Sequence, residues 1–333
     1  MWHKIQIAIL GLCLSITFSL QAAEELSRDA FVWLVTCSPG DDLYNKYGHM
    51  AIRVRDSVND IDAIFNYGTF DFNTEHFYWK FMRGETWYEL GLEYPYYWFE
   101  RAYTDHGRKV YWQELNLDPA EKQALWDALW ENLKPQNKQY LYNFVFDNCA
   151  TRPYHMIMDA CAYSVTSEYE GYTGSTYRSF LRHYTGGLSW ANAGINLLFG
   201  PRADRKMDSE QRLFLPEELM NYMQQAYRTD DGAPFVLRSN IAPFEPPYTP
   251  WYASWPVGLV LYFLFVLGMS WYDRRRKKWS WWVEAVTGFV YLFLLLLVGF
   301  LTFFSCHPLV GFGWRLLIIP VTHLCARLLY IIR

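Results

Sequence analysis

The sequence predicts an exported α+β domain followed by a C-terminal α-helical membrane region. Three observations carry that reading: an apolar leader, short strand-like runs interleaved with helices between residues 24 and 227, and long uncharged stretches after residue 250. The 333 residues suffice for one sizeable globular domain and a smaller region. A net charge of -4, with basic residues scattered apart from one run near the C-terminus, gives no reason to expect a nucleic-acid partner. Aromatic residues make up 20% of the chain, which suits a membrane interface or a lipid-lined groove and equally suits an aromatic-rich core.

In chain order, residues 1–23 read as a signal peptide. Lys4 supplies the positive start, Ile5 to Leu20 the apolar run and Ala22-Ala23 a cleavage zone. Residues 24–227 form the exported domain. Phe31 to Cys37 is a β-branched run closed by Ser38-Pro39-Gly40, which predicts a strand and a turn. Residues 49–55 alternate as a second strand, and Ile61 to Tyr67 pairs with it across a turn near 56–60. Asp118, Pro119 and Glu121 make a capping box that opens a helix striped by Leu125, Leu129 and Leu133. Tyr140 to Phe146 reads as another strand, and a helix over Pro216 to Tyr227 closes the domain. Residues 228–250 carry five prolines and read as a linker.

The last part, 251–333, predicts two to three membrane helices at about 255–272, 283–306 and 309–332. The first two reach the roughly 18 to 20 apolar residues needed to cross a bilayer. Trp251, Trp271, Trp281 and Trp282 flank them as an interfacial belt. The third is interrupted by Arg315, His323 and Arg327. Between the first two lie the five adjacent cations of 274–278, which place that loop in the cytoplasm and residues 24–250 outside. The leader implies the same side independently.

Six cysteines without a C-x-x-C suggest neither a disulfide scaffold nor a zinc site, so no metal or cofactor is expected. The exported domain keeps Cys37, Cys149 and Cys161, which permit one bridge and leave at least one free thiol. Catalysis is a common reason for such a thiol outside the cytoplasm. Cys149 lies in Phe146-Asp-Asn-Cys-Ala-Thr-Arg-Pro153, where a strand ending at Phe146 and a helix starting near Thr151 place it at a junction. A helix N-terminus is expected to depress its pKa and favour the thiolate nucleophile. A buried structural cysteine is the plainer alternative, but the polar neighbours Asp147, Asn148, Thr151 and Arg152 weigh against it.

Among eight histidines, His49 stands out because it follows Tyr47-Gly48 and opens a strand. The hairpin places it opposite residues 66–67, so Asn66 becomes the candidate to orient the imidazole. Asp71 is the runner-up, and Asn66 serves equally well as a turn-former beside Gly68.

The order His, polar residue, Cys resembles the circularly permuted papain-like (NlpC/P60-type) superfamily, which includes lecithin–retinol acyltransferase-like enzymes. More closely, five segments resemble the periplasmic domain of the bacterial lipoprotein N-acyltransferase family called Lnb. These are Thr36-Cys-Ser-Pro-Gly40, Tyr47-Gly-His-Met-Ala-Ile-Arg53, Phe65-Asn-Tyr-Gly-Thr-Phe70, Asn148-Cys-Ala-Thr-Arg152 and Arg212-Leu-Phe-Leu-Pro216. The resemblance implies a permuted papain-like fold, His49 and Cys149 as the catalytic pair, and a catalytic domain facing the periplasm from the inner membrane. It also implies transfer of an acyl chain from a phospholipid donor to the N-terminal amine of a diacylated lipoprotein. Arg53, Asn148 and Arg152 within these segments are accessory candidates. His307, at the outer end of the second membrane helix, is another. The aromatic stretch 87–103 lines either an acyl groove or a core. A cysteine peptidase or amidase acting on cell-wall peptides, and a non-enzymatic envelope scaffold, are the competing readings.

Overall fold

Alternation along the strands decides which side chains meet. A computed structural model describes residues 25–71, 73–171, 176–245 and 247–331, so the expected signal peptide lies outside the described residues. Strands β1 (Phe31–Cys37), β2 (His49–Asp56) and β3 (Ile61–Thr69) form an antiparallel meander. Helix α1 (Phe77–Arg83) precedes β4 (Trp87–Glu93), and α2 (Tyr96–Thr104) precedes β5 (Val110–Leu115). Helix α3 (Pro119–Leu133) starts on the expected capping box: Asp118 accepts from Glu121 N at 2.8 Å, and Glu121 accepts from Asp118 N at 2.9 Å. After β6 (Gln139–Leu141) come α4 (Thr151–Ala160), β7 (Val165–Ser167), α5 (Tyr177–Thr185), α6 (Trp190–Leu198) and α7 (Pro216–Gln224). Strands β8 (Ala226–Arg228) and β9 (Val236–Ser239) complete the domain.

The main sheet runs β6-β4-β3-β2-β1-β5-β9, with every pairing antiparallel. Because successive side chains point to opposite faces, Leu34, Ile52 and Phe65 fall on one face beneath Leu125, Trp126 and Leu129 of α3 and Leu219 of α7. Val35, Cys37, Ala51 and Ile64 fall on the other face beneath Tyr96 and Phe99 of α2. His49 and Asn66 share the parity of that second face.

Two expectations are overturned here. The run 140–146 is strand only to Leu141; residues 143–147 fold into a tight turn closed by reciprocal Asn143–Asp147 backbone bonds of 2.9 Å. Asn143 breaks the strand because its Oδ1 accepts from Val145 N and Phe146 N, both at 3.1 Å. Residues 228–250 are not all linker, since β9 adds to the sheet edge on β5 and buries Phe235 and Val236. Proline still respects its limits, because β9 itself contains none.

Helices α8 (Trp255–Arg276) and α9 (Trp281–Phe304) have mean hydropathies of 1.5 and 2.4. At 22 and 24 residues they are about 33 and 36 Å long, enough for a bilayer core. Only 11% of each span is buried against protein, and Leu261, Phe265, Phe289 and Phe293 point outward. Such a surface requires a lipid neighbour. The third helix, α10 (Ile318–Ile331), begins nine residues later than expected because Trp314–Leu317 forms a 3-10 turn instead. Its 14 residues measure about 21 Å. Arg327 of α10 binds Asp273 at 2.9 Å and Glu284 at 2.7 Å, so this charge ties the three helices together.

Candidate active site

Two glycines make room for the site. Gly48 adopts φ +87°, and a Cβ there would lie 2.8 Å from the Cys37 carbonyl oxygen, so only glycine lets β2 begin this close to β1. Gly68 adopts φ +93°, next to a register shift between Tyr67 and Thr69. A Cβ on Gly68 would lie 3.5 Å from Cys149 Cβ, 3.7 Å from His49 Cε1 and 3.8 Å from the Tyr140 hydroxyl. Three chemically active side chains thus converge on the space that a missing methyl leaves. The observed pairing Ile52↔Phe65, continued along the hairpin, sets His49 opposite Gly68 rather than 66–67. Asn66 is then the diagonal neighbour on the same face and still reaches the imidazole.

The hydrogen-bond chain on that face fixes the tautomer. Glu93 of β4 accepts from Asn66 Nδ2 at 2.7 Å, which turns Asn66 Oδ1 toward His49. Asn66 Oδ1 lies 2.6 Å from His49 Nε2, so that nitrogen must carry the proton and donate it. His49 Nδ1 is left as the basic atom. The imidazole also stacks on Tyr103 of α2, centroid to centroid 5.9 Å. Burial drives the His49 pKa down to about 4; the Asn66 bond opposes this and the charge of Arg108 adds to it.

Cys149 sits on the turn ahead of α4, held by a neighbour with no spare valence. Buried Asn148 donates through Nδ2 to Phe144 O at 2.7 Å and Phe214 O at 2.8 Å. Its Oδ1 accepts from Ala150 N at 2.8 Å and Thr151 N at 2.9 Å, the two amides that open α4. Arg152 forms a two-pronged pair with Asp147 at 2.6 and 2.8 Å and lies 3.6 Å over the Tyr140 ring. Asn148 and Arg152 are therefore committed to holding the turn that carries Cys149. The Cys149 thiol departs from expectation: burial pushes its pKa up to about 11, although the backbone amides of Met50 and Cys149 and the charge of Arg108 all favour the thiolate. The first helical residue is two positions further on, and desolvation outweighs its dipole. The resting pair is a neutral thiol beside a neutral imidazole.

The other predicted residues lie elsewhere. Asp71 is exposed and accepts from Asn73 N at 2.8 Å, a turn contact. Arg53 pairs with Asp62 at 2.7 Å and is clasped by Tyr96 and Trp33 at 3.7 and 5.0 Å. His307 Nε2 contacts Phe81 O at 2.9 Å, joining the loop after α9 to α1. Sequence reasoning missed Glu93, Tyr103, Tyr140 and Arg108, since the first three arrive from strands or a helix whose pairing no local pattern fixes and Arg108 from the loop before β5. Arg108 Nε donates to Ser38 O at 2.7 Å and its guanidinium lies 4.6 Å from the Tyr103 ring. Buried Tyr140 has a hydroxyl without a hydrogen-bond partner among the described residues. The described cysteines are all free, and burial pushes the Cys37 thiol up, so it does not compete as a nucleophile. Among the described residues no cluster of three or more His, Cys, Asp or Glu forms a metal site.

A neutral thiol at about 11 predicts that alkylation of Cys149 by iodoacetamide, followed on its tryptic peptide by mass spectrometry, rises roughly tenfold per pH unit through pH 8 and 9. A plateau below pH 8 would mean a resting thiolate and contradict this site. The base must be neutral to accept a proton, and His49 is neutral above about 4. Its acidic limb in any Cys149-dependent reaction should therefore fall near pH 4, not near pH 6.5.

Residues 21–185 match the family model of the Lnb N-terminal periplasmic domain, a range that includes His49, Asn66, Tyr140 and Cys149. No curated protein and no solved structure matches the chain. Residues 21–185 are thus similar to the Lnb N-terminal periplasmic domain, and two helices long and apolar enough to span a bilayer follow it.

Proposed function

We propose that this protein is a lipoprotein N-acyltransferase of the bacterial inner membrane. On this reading it moves an acyl chain from a phospholipid to the N-terminal amine of a diacylated lipoprotein through a Cys149 thioester, in a permuted papain-like domain. The observation that carries the proposal is the convergence of Cys149, His49 and the Tyr140 hydroxyl around Gly68. In the first half-reaction the Cys149 sulfur attacks the ester carbonyl while His49 Nδ1 takes the thiol proton. The Tyr140 hydroxyl is the donor available to the oxyanion, and the Met50 and Cys149 amides favour the sulfur anion. Collapse expels the lysophospholipid alkoxide, which receives the proton from His49. In the second half-reaction the lipoprotein amine attacks the thioester, His49 takes its proton, and the amide forms as the sulfur leaves and is reprotonated. Arg108 stabilises the sulfur anion as it develops in both halves.

Lipid rather than a soluble peptide is favoured by a continuous series of rings. Tyr88 and Tyr142, 4.2 Å apart, both lie within electrostatic reach of Cys149. Phe70 touches Tyr88 at 4.8 Å and Phe77 of α1 at 5.7 Å. On α1, Tyr78, Trp79, Phe81 and Met82 are exposed, and Trp79 packs 5.2 Å from Phe300 near the outer end of α9. A chain of ring contacts thus links the exposed apolar face of α1 to the neighbourhood of the thiol, apolar packing that suits an acyl chain.

Cells carrying Cys149→Ala as their sole copy, in a background without another N-acyltransferase, should accumulate diacylated lipoproteins with a free N-terminal amine. Mass spectrometry of an abundant lipoprotein reads this directly, and an unchanged triacylated pattern would refute the proposal. Tyr140→Phe should keep the fold and substrate affinity and lower the turnover number by roughly 10²-fold, the usual loss for one oxyanion donor. A rise in KM with unchanged turnover would instead give Tyr140 a binding role.

A further inference from the structure

A cavity of about 1120 Å³ opens between α5 and α6 of the periplasmic domain, the first turns of α8 and α10, and the first half of α9. It exceeds the roughly 300–1,000 Å³ typical of small-molecule sites. None of His49, Asn66, Tyr140 or Cys149 lines it. One end is cationic. Arg178 is committed there: it binds Asp204 at 2.6 and 3.1 Å and the carbonyl oxygens of Phe199 and Gly200 at 3.1 and 3.0 Å. Asp204 is the sole carboxylate lining the cavity among the described residues, and Arg178 occupies it. Arg182 and Arg315 share the same space with no carboxylate ion-pair partner among the described residues, and the charged neighbours of Arg315 are Arg178, Asp204 and Arg182. Three guanidiniums against one carboxylate leave two uncompensated positive charges.

The rest of the cavity is apolar. Leu259 of α8, Val290 of α9 and Ile319 of α10 supply walls. From Trp255 to Tyr262 the lining follows α8 for about 10 Å. Its rim is pinned, since Trp190 Nε1 donates to Ala253 O and Trp255 Nε1 to Gly187 O, both at 3.1 Å. Gly258 admits Trp190 against α8, because a Cβ there would lie 2.4 Å from the indole. Unpaired arginines at an interfacial rim above membrane-depth apolar walls match an anionic headgroup above acyl chains.

We propose that this cavity is a binding site for an anionic phospholipid, distinct from the Cys149 centre. Its phosphate bridges Arg182 of the periplasmic domain and Arg315 of the membrane region, and its chains lie along α8 and α9. The bound lipid seats α5 on the membrane helices. Tyr177 of α5 touches Phe146 of the cysteine turn at 6.4 Å, so the lipid also steadies that turn.

The test uses full-length Cys149→Ala protein in detergent, which cannot turn over a lipid by the thioester route, incubated with equimolar phosphatidylglycerol and phosphatidylcholine. Native mass spectrometry should show one phosphatidylglycerol retained in preference to phosphatidylcholine. Adding Arg182→Gln with Arg315→Gln should reduce retention roughly tenfold or more, as loss of two charge-assisted contacts implies, and the double Lys variant should restore much of it. Excess inorganic phosphate should not displace the lipid, because the chains contribute. Equal retention of both lipids, unchanged retention in the Gln variant, or displacement by phosphate alone would each overturn the site. The lipid comparison on the unsubstituted cavity stands even if the Gln variant does not fold. The readout is independent of acyl transfer, so the two proposals fail separately.

Discussion

The site depends on one hydrogen-bond chain, from Glu93 through Asn66 to His49. A carboxylate only accepts, so the Asn66 amide has one orientation, and the imidazole has one tautomer. Everything chemical follows from the nitrogen this leaves free. The chain spans β2, β3 and β4, adjacent strands of one sheet, so the relative placement of base and orienter is set by ladder geometry and not by loops. Tyr103 covers the ring from α2 and Gly68 keeps the opposite space open.

Burial around the site has an opposite effect on its two partners, lowering the His49 pKa and raising that of Cys149. Both shifts favour the uncharged pair, so on the proposed mechanism the ion pair forms only when a carbonyl is there to receive the sulfur. That suits the proposed acyltransferase working in the periplasm, where a permanent thiolate is exposed to oxidation. The surrounding donors then act on charge as it develops: two backbone amides aimed at the sulfur and, next to them, the unpartnered Tyr140 hydroxyl.

Much of this arrangement was legible in the sequence where local rules decide. The Asp118 cap, the 31–37, 49–55 and 61–67 strands, and the start of α4 at Thr151 follow from capping, alternation and proline placement. His49, Asn66 and Cys149 follow from the same rules combined with family motifs. Long-range pairing was not legible. Glu93 and Tyr140 enter the site through β4 and β6, strands whose partners no local pattern fixes. The 143–147 turn defeated a β-rich run because the Asn143 side chain competed for the backbone. The thiol shift was misjudged because sequence shows a helix N-terminus but not how much protein surrounds the sulfur. Arg53 and Asp71 have the right chemistry in the right motif region, yet each is satisfied by a neighbour away from the cysteine.

Membrane helices and periplasmic domain form one functional object on this account, joined at α1 with the end of α9 and at α5–α6 with the start of α8. The central claim is that Cys149 carries the acyl chain between two lipid-linked substrates. The most direct measurement is the intact mass of the purified protein after incubation with a phospholipid of defined chains and no acceptor. A single acyl adduct mapping to the Cys149 peptide, released by neutral hydroxylamine and absent in His49→Ala, is the predicted result. Lysophospholipid release without any adduct on Cys149, or an adduct that forms equally without His49, would contradict it.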